Sequence, residues 1–109
     1  MGYVLADHDR ELPEARKLIE RALERDPENG AYVDSYGWVL YRQGDLTGAR
    51  THLERAVRLT DGDPVVREHL GDVYRDLKLP DLAREQYKLS VASEGENEKR
   101  VADKLKALR

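Results

Sequence analysis

The dipeptide Ala-Arg stands at Ala15-Arg16, Ala49-Arg50 and Ala83-Arg84, so it recurs twice at the same 34-residue interval. Each opens a similar segment: "ARKLIERAL", "ARTHLERAV" and "AREQYKLSV". Glu20-Arg21-Ala22 returns as Glu54-Arg55-Ala56, and Gly37 and Gly71 keep the same interval, Gly37 standing ahead of Ala49 as Gly71 stands ahead of Ala83. Self-similarity at a fixed period of this length marks a stacked repeat, in which each unit buries its apolar face on the next.

Gly37 sits among Tyr36, Trp38, Val39 and Leu40, which read as helix. A mid-helix glycine costs about 1 kcal/mol relative to alanine, so a close helix-helix contact must offset the loss. The period supplies the contact: Gly37 is expected against the following helix near Ala49, and Gly71 near Ala83. Turn residues agree. "QGD" at 43–45 gives a glycine stop and an aspartate N-cap, Pro80 suits a first helical turn, and "ERDPENG" and "TDGDP" separate one helix pair from the next. The spacing predicts a short helix near 2–8 and helices near 13–25, 30–43, 46–59, 64–77, 80–93 and 97–108.

Composition fits an all-helical chain. Charged residues make up 38%, aromatics 6%, and phenylalanine is missing, so a core must come from Leu, Val, Ala and Tyr. The net charge of −3 comes from interleaved signs, which argues against a basic nucleic-acid face. With no cysteine there is no disulfide or thiolate metal site. The opening "MGYVLADHDRE" lacks the pattern of a signal peptide. Apolar runs are all far shorter than a membrane span needs, so direct membrane insertion by this segment is not expected.

These residues resemble the tetratricopeptide repeat (TPR) family, 34-residue helix-turn-helix units with a small residue in the first helix, alanine at two places in the second and a proline between units. The small first-helix position matches Gly37 and Gly71. The first alanine of the second helix matches Ala15, Ala49 and Ala83, the large position Ile19, Leu53 and Tyr87, the second alanine Ala22 and Ala56, and the inter-repeat proline Pro27. Ser90 departs from the second alanine, Asp61 from the proline, and Lys78 stands where Gly44 would recur. The resemblance implies an all-α, right-handed α-α superhelix of TPR units in one domain over 1–109: a partial repeat at 2–29, repeats at 30–63 and 64–95, and a capping helix at 96–109. Gly2 precedes Ala15 by one position more than Gly37 precedes Ala49, so its unit is expected to be a truncated one from a longer array. Val101, Leu105 and Leu108 on a charged helix are expected to form one apolar stripe under a polar cap. More narrowly, "GYVLAD" and the segment from Leu12 to Asp45 resemble the C-terminal repeats of large bacterial TPR proteins, many of them lipoproteins on the periplasmic side of the outer membrane. That implies a periplasmic, outer-membrane-associated parent acting as an adaptor or scaffold, with the cytoplasm as the alternative.

TPR units line a concave groove with their first helices. The resemblance places partner contacts at Asp34, Trp38, Tyr41 and Arg42 in one unit and at Glu68, Asp72, Arg75 and Asp76 in the next. That groove leans acidic with two aromatics at one end. It suits a protein or peptide of basic or mixed charge with an apolar anchor, and Trp38 is the expected anchor residue. It does not suit the acidic carboxyl terminus held by some TPR clamps. The competing readings are that Trp38 fills core between units and that the acids form a solvated face, with Asp72 and Asp76 balanced by Arg75.

Catalysis and cofactors are not expected. His8, His52 and His69 make no metal pair at helical spacing, and His52 and His69 read as residues of helix-helix seams. Ser35, Thr51 and Ser90 carry no nucleophile motif, and the glycines are scattered singly. The expected function is a protein-protein interaction module; the alternatives are a self-association module forming homo-oligomers and, last, an enzyme.

Overall fold

The computed structural model describes residues 12–92 and 98–108, which form six helices: α1 (Leu12–Arg25), α2 (Gly30–Arg42), α3 (Leu46–Leu59), α4 (Pro64–Asp76), α5 (Pro80–Ala92) and α6 (Glu98–Ala107). Each boundary lies within one residue of the expected one. The short helix expected near 2–8, and the place of Gly2, lie outside the described residues.

Local chemistry sets the ends. The Asn29 side chain accepts the Tyr32 N–H, Asp45 accepts that of Gly48, and Asp63 accepts those of Val65 and Val66, so the orphan donors opening α2, α3 and α4 are met by short polar side chains. At the turn after α2, Gly44 adopts φ +88°, and Asp45 N–H closes back on Leu40 C=O at 2.9 Å. The turn after α4 repeats this geometry with Lys78 at φ +65°, and Leu79 N–H reaches Tyr74 C=O at 2.9 Å. The missing glycine thus leaves the turn unchanged, with a lysine held in the left-handed region that favours glycine.

α2 and α3 form one hairpin and α4 and α5 the next; α1 packs on α2, α3 on α4 and α5 on α6. Ala15, Ala49, Ala56 and Ala83 are fully buried, as are Leu53 and Tyr87. A continuous core runs from Leu40 and Leu53 through Leu70, Val73 and Tyr87 to Val101. Leu12, Ala15, Ile19 and Val39 form a second cluster that packs α1 on α2, with Tyr36 lying against both clusters. Val101 supplies the buried point of α6, with Leu105 and Leu108 beside it. Ser90, at the second-alanine position, is buried and donates its hydroxyl to Pro64 C=O at 2.7 Å, so the extra oxygen is satisfied.

The glycines are packing contacts, but against a different partner from the one expected. A Cβ at Gly37 would stand 2.7 Å from Leu53 Cγ and 3.4 Å from Leu53 N; one at Gly71 would stand 2.5 Å from Tyr87 Cε1. Each glycine therefore receives the large residue one turn beyond the alanine. A bulky side chain seated in a glycine notch fills more volume than two small residues facing each other, which is why the large position of α3 and α5 is fully buried.

A second recurrent device explains why arginine follows the alanine. Arg16 donates to Glu20 (3.2 Å), and Tyr36 donates its hydroxyl to the same carboxylate (2.9 Å), with the Arg16 guanidinium 5.7 Å from the ring centre. One repeat later Arg50, Glu54 and Tyr74 do the same, at 3.1 Å, 2.5 Å and 5.5 Å. The Arg and Glu keep the 34-residue interval while the tyrosine moves by one helical turn, from 36 to 74. The network keeps its chemistry rather than its positions. Burial and the Glu54 carboxylate together hold the Tyr74 hydroxyl protonated far above its ordinary range.

Candidate functional site

The eight residues expected in the groove fall on α2 and α4, and the structure sorts them into two junctions. At the first, between α2 and α4, the Trp38 ring is half-buried, resting partly on the α1–α2 core. It stacks on His69 of α4 (centroids 4.3 Å, 27°) and on Tyr41 (4.9 Å, 26°). His69 Nδ1 donates to Asp34 Oδ1 at 2.8 Å, and the Asp34 side chain keeps 17% of its surface exposed. Asp34, Trp38 and His69 line a cleft of about 430 Å³ with Ala31, Ser35, Thr60, Asp63, Val65 and Val66. The Trp38 ring thus divides between core and cleft.

Farther along the same junction, Tyr41 donates its hydroxyl to Asp76 Oδ2 at 2.6 Å, and Arg75 Nε donates to Asp76 Oδ1 at 3.0 Å. Burial, reinforced by the Asp76 carboxylate, lifts the Tyr41 hydroxyl to about 12. Burial pushes the Asp76 carboxyl up, but the hydrogen bonds from Tyr41 and Arg75 outweigh it and hold the group below its ordinary value. Arg42 is exposed and borders a shallow depression with Tyr41 and Asp76.

The second junction, between α4 and α6, is closed. Glu68 and Asp72, expected on an open acidic face, are 2% and 4% exposed. Arg100 of α6 grips Glu68 with two N–H groups (2.8 and 2.6 Å), and Lys104 bridges Glu68 (2.7 Å) and both Asp72 oxygens (3.0 Å each). Tyr87 of α5 donates its hydroxyl to Asp72 at 2.6 Å, and Arg75 reaches the same carboxylate at 3.6 Å. Desolvation pushes the Glu68 carboxyl up, yet Arg100 and Lys104 more than compensate and hold it below its ordinary value. Two buried carboxylates are tolerable here because every one of their partners is a donor. The sequence reading of Asp72 as solvated fails because α6 supplies the cations.

Sequence reasoning leaves His69, Arg100 and Lys104 out of the site. A signal is present for the last two: acids four apart on one predicted helix, Glu68 and Asp72, answer cations four apart on another, Arg100 and Lys104. His69 reads only as a seam residue, and so does His52, which donates Nδ1–H to Gly48 C=O at 2.9 Å and meets the Tyr36 ring edge-on. His8 lies outside the described residues. Among the described residues no three His, Asp or Glu side chains gather around a metal-sized space, and no helix is long and apolar enough to cross a membrane.

A tetratricopeptide repeat model matches residues 2–64, more than half of the chain. The chain belongs to the tetratricopeptide repeat family. It is 42% identical over 72 residues to a TPR repeat-containing protein of Pseudomonas aeruginosa, a match that takes in 66% of this chain and 12% of that protein. The chain thus spans a small part of the length of its curated relative. Among solved structures it superposes on PcrH, crystallised with the chaperone binding region of PopD, with a TM-score of 0.83 at 16% identity over 98% of this chain and 87% of that one. SycD, a type III secretion translocator chaperone of Yersinia enterocolitica, matches with the same TM-score and identity over 98% of this chain and 80% of its own. At that identity the likeness shows the fold, an all-α TPR superhelix.

Proposed function

We propose that this TPR domain is a non-catalytic adaptor that holds a segment of another protein along α2 and α4. The segment carries basic or mixed charge and an apolar group that seats at Trp38. The observation that carries the reading is the cleft between α2 and α4, walled by a half-exposed tryptophan and bordered by Asp34 and Asp63. Aromatic side chains in partly desolvated pockets dominate interface energies, and TPR superhelices present their first helices to partners. PcrH offers a parallel, having been crystallised with a segment of PopD. An envelope-located parent, suggested by the resemblance of the repeats, is part of the same proposal.

Because Trp38 is the sole tryptophan, its fluorescence reports on this cleft alone. Partner capture by the full chain should fall at least about tenfold in Trp38→Ala, as expected for loss of a hot-spot residue, while far-ultraviolet dichroism keeps its helical amplitude. Capture unchanged by the substitution would overturn the groove reading.

A further inference from the structure

We propose that the cleft between α2 and α4 is an arginine pocket: it takes one guanidinium side chain from the bound segment, the methylene stem against Trp38, Val65 and Val66, the head against Asp34 and Asp63. This rests on the groove reading and names the side chain that the ligand must carry.

Three observations converge. First, the described residues around the cleft include two carboxylates and no lysine or arginine. The other two clefts described contain their own cations, Lys17 and Arg21 on α1 and Arg42 beside Tyr41. A cationic head is therefore complementary to this cleft and not to those.

Second, the carboxylates have acceptor capacity left. Asp63 uses Oδ1 for both the Val65 and Val66 N–H groups, which also satisfies the N-terminus of α4 and removes its pull on anions. Asp34 receives one N–H, from His69 Nδ1, against about four acceptor positions on a carboxylate.

Third, the molecule already displays the interaction one repeat away. Glu68 follows Asp34 at the 34-residue interval, at the same repeat position, and is gripped by both prongs of Arg100. On α2 the corresponding carboxylate takes the single N–H of a histidine, and that histidine stacks on Trp38. A guanidinium laid along the indole extends this stack, since it is planar and weakly hydrated. Lysine, a compact and strongly hydrated charge, gains less from an aromatic wall.

The test is selection of displayed random dodecapeptides on the full chain, followed by titration of synthetic versions read through the anisotropy of a fluorescein label on the peptide. The expected peptides share an arginine at a fixed position. Replacing it with citrulline, which keeps shape and removes charge, should weaken binding at least about tenfold, the worth of a charge-assisted hydrogen bond; lysine should fall between. Asp34→Asn should shrink the arginine-citrulline difference severalfold, the remainder coming from Asp63, and it alters neither core nor cap. Peptides that need Trp38 but bind equally well with citrulline would overturn the arginine pocket and leave the groove reading standing. Binding indifferent to Trp38→Ala, or no selected peptide, would overturn both.

Discussion

At the α2–α4 junction the positions carrying Asp34 and Trp38 leave a cleft; at the α4–α6 junction the corresponding positions of the next repeat, Glu68 and Asp72, are closed over by Arg100 and Lys104. The difference lies in what the following helix brings. α4 contributes an imidazole, flat and short, which lies against the indole and leaves room beside it. α6 contributes two long cations, whose ends reach the acids while their stems cover them. A repeat position therefore has no fixed role: it becomes recognition surface or internal seam according to the face opposite. Charge that is useful to a partner at one junction is consumed within the chain at the other.

The largest expected effect comes from breaking the closed junction by charge reversal. Glu68→Lys would add a cation to Arg75, Arg100 and Lys104 around buried Asp72, and the loss should be about 3–5 kcal/mol, as for other buried pairs left uncompensated. Asp34→Lys, at the same position one repeat earlier, should cost less, about 1–2 kcal/mol, because it loses one hydrogen bond and its longer side chain can reach solvent through the cleft. Urea unfolding of both variants measures the contrast. Equal losses would mean that the two junctions do not differ as described.

A finer test uses the glycine notches beneath the junctions. Alanine at Gly37 gains about 1 kcal/mol of helix propensity, and overpacking costs about 1–3 kcal/mol, so the sign depends on whether the neighbour can retreat. Leu53 can turn about its side-chain bonds. Tyr87 cannot move as freely, because its hydroxyl is tied to Asp72, which is tied to Lys104. Gly71→Ala should therefore be more destabilising than Gly37→Ala, by about 1 kcal/mol within that overpacking range. Thermal unfolding that ranks them in the opposite order would separate the hairpin packing from the junction above it.

Sequence alone carries the helices and their order because both come from local signals with a long-range check. Asn29, Asp45, Asp63, Pro64 and Pro80 mark starts, Gly44 marks a stop, and the 34-residue interval tests each mark against another. The site is less legible. Placing Trp38, Asp34, Glu68 and Asp72 on first helices follows from the period, but their exposure depends on rotation of the next helix, which a periodic pattern does not encode. Arg100 and Lys104 read as solvating charges on a cap until α4 is seen opposite. The partner expected for Gly37 is off by one turn for the same reason: spacing says which residues share a face, and packing says which of them fills the notch.

The smallest effect is in acid. Folding lowers the Glu68 carboxyl below its ordinary value: burial opposes this, but Arg100 and Lys104 prevail. A carboxyl lowered by folding contributes stability fully present above its unfolded value, about 4.3, and lost as pH falls through the lower folded value. Glu68→Gln keeps the shape and cannot titrate. The stability difference between wild type and Glu68→Gln should accordingly be constant above about pH 5 and narrow on acidification below about pH 4, with the unfolded carboxylate as reference. Urea midpoints across that range measure it. A difference that does not change with pH would mean that Glu68 is held by shape alone, and the closed junction would then differ from the open one in packing rather than in charge.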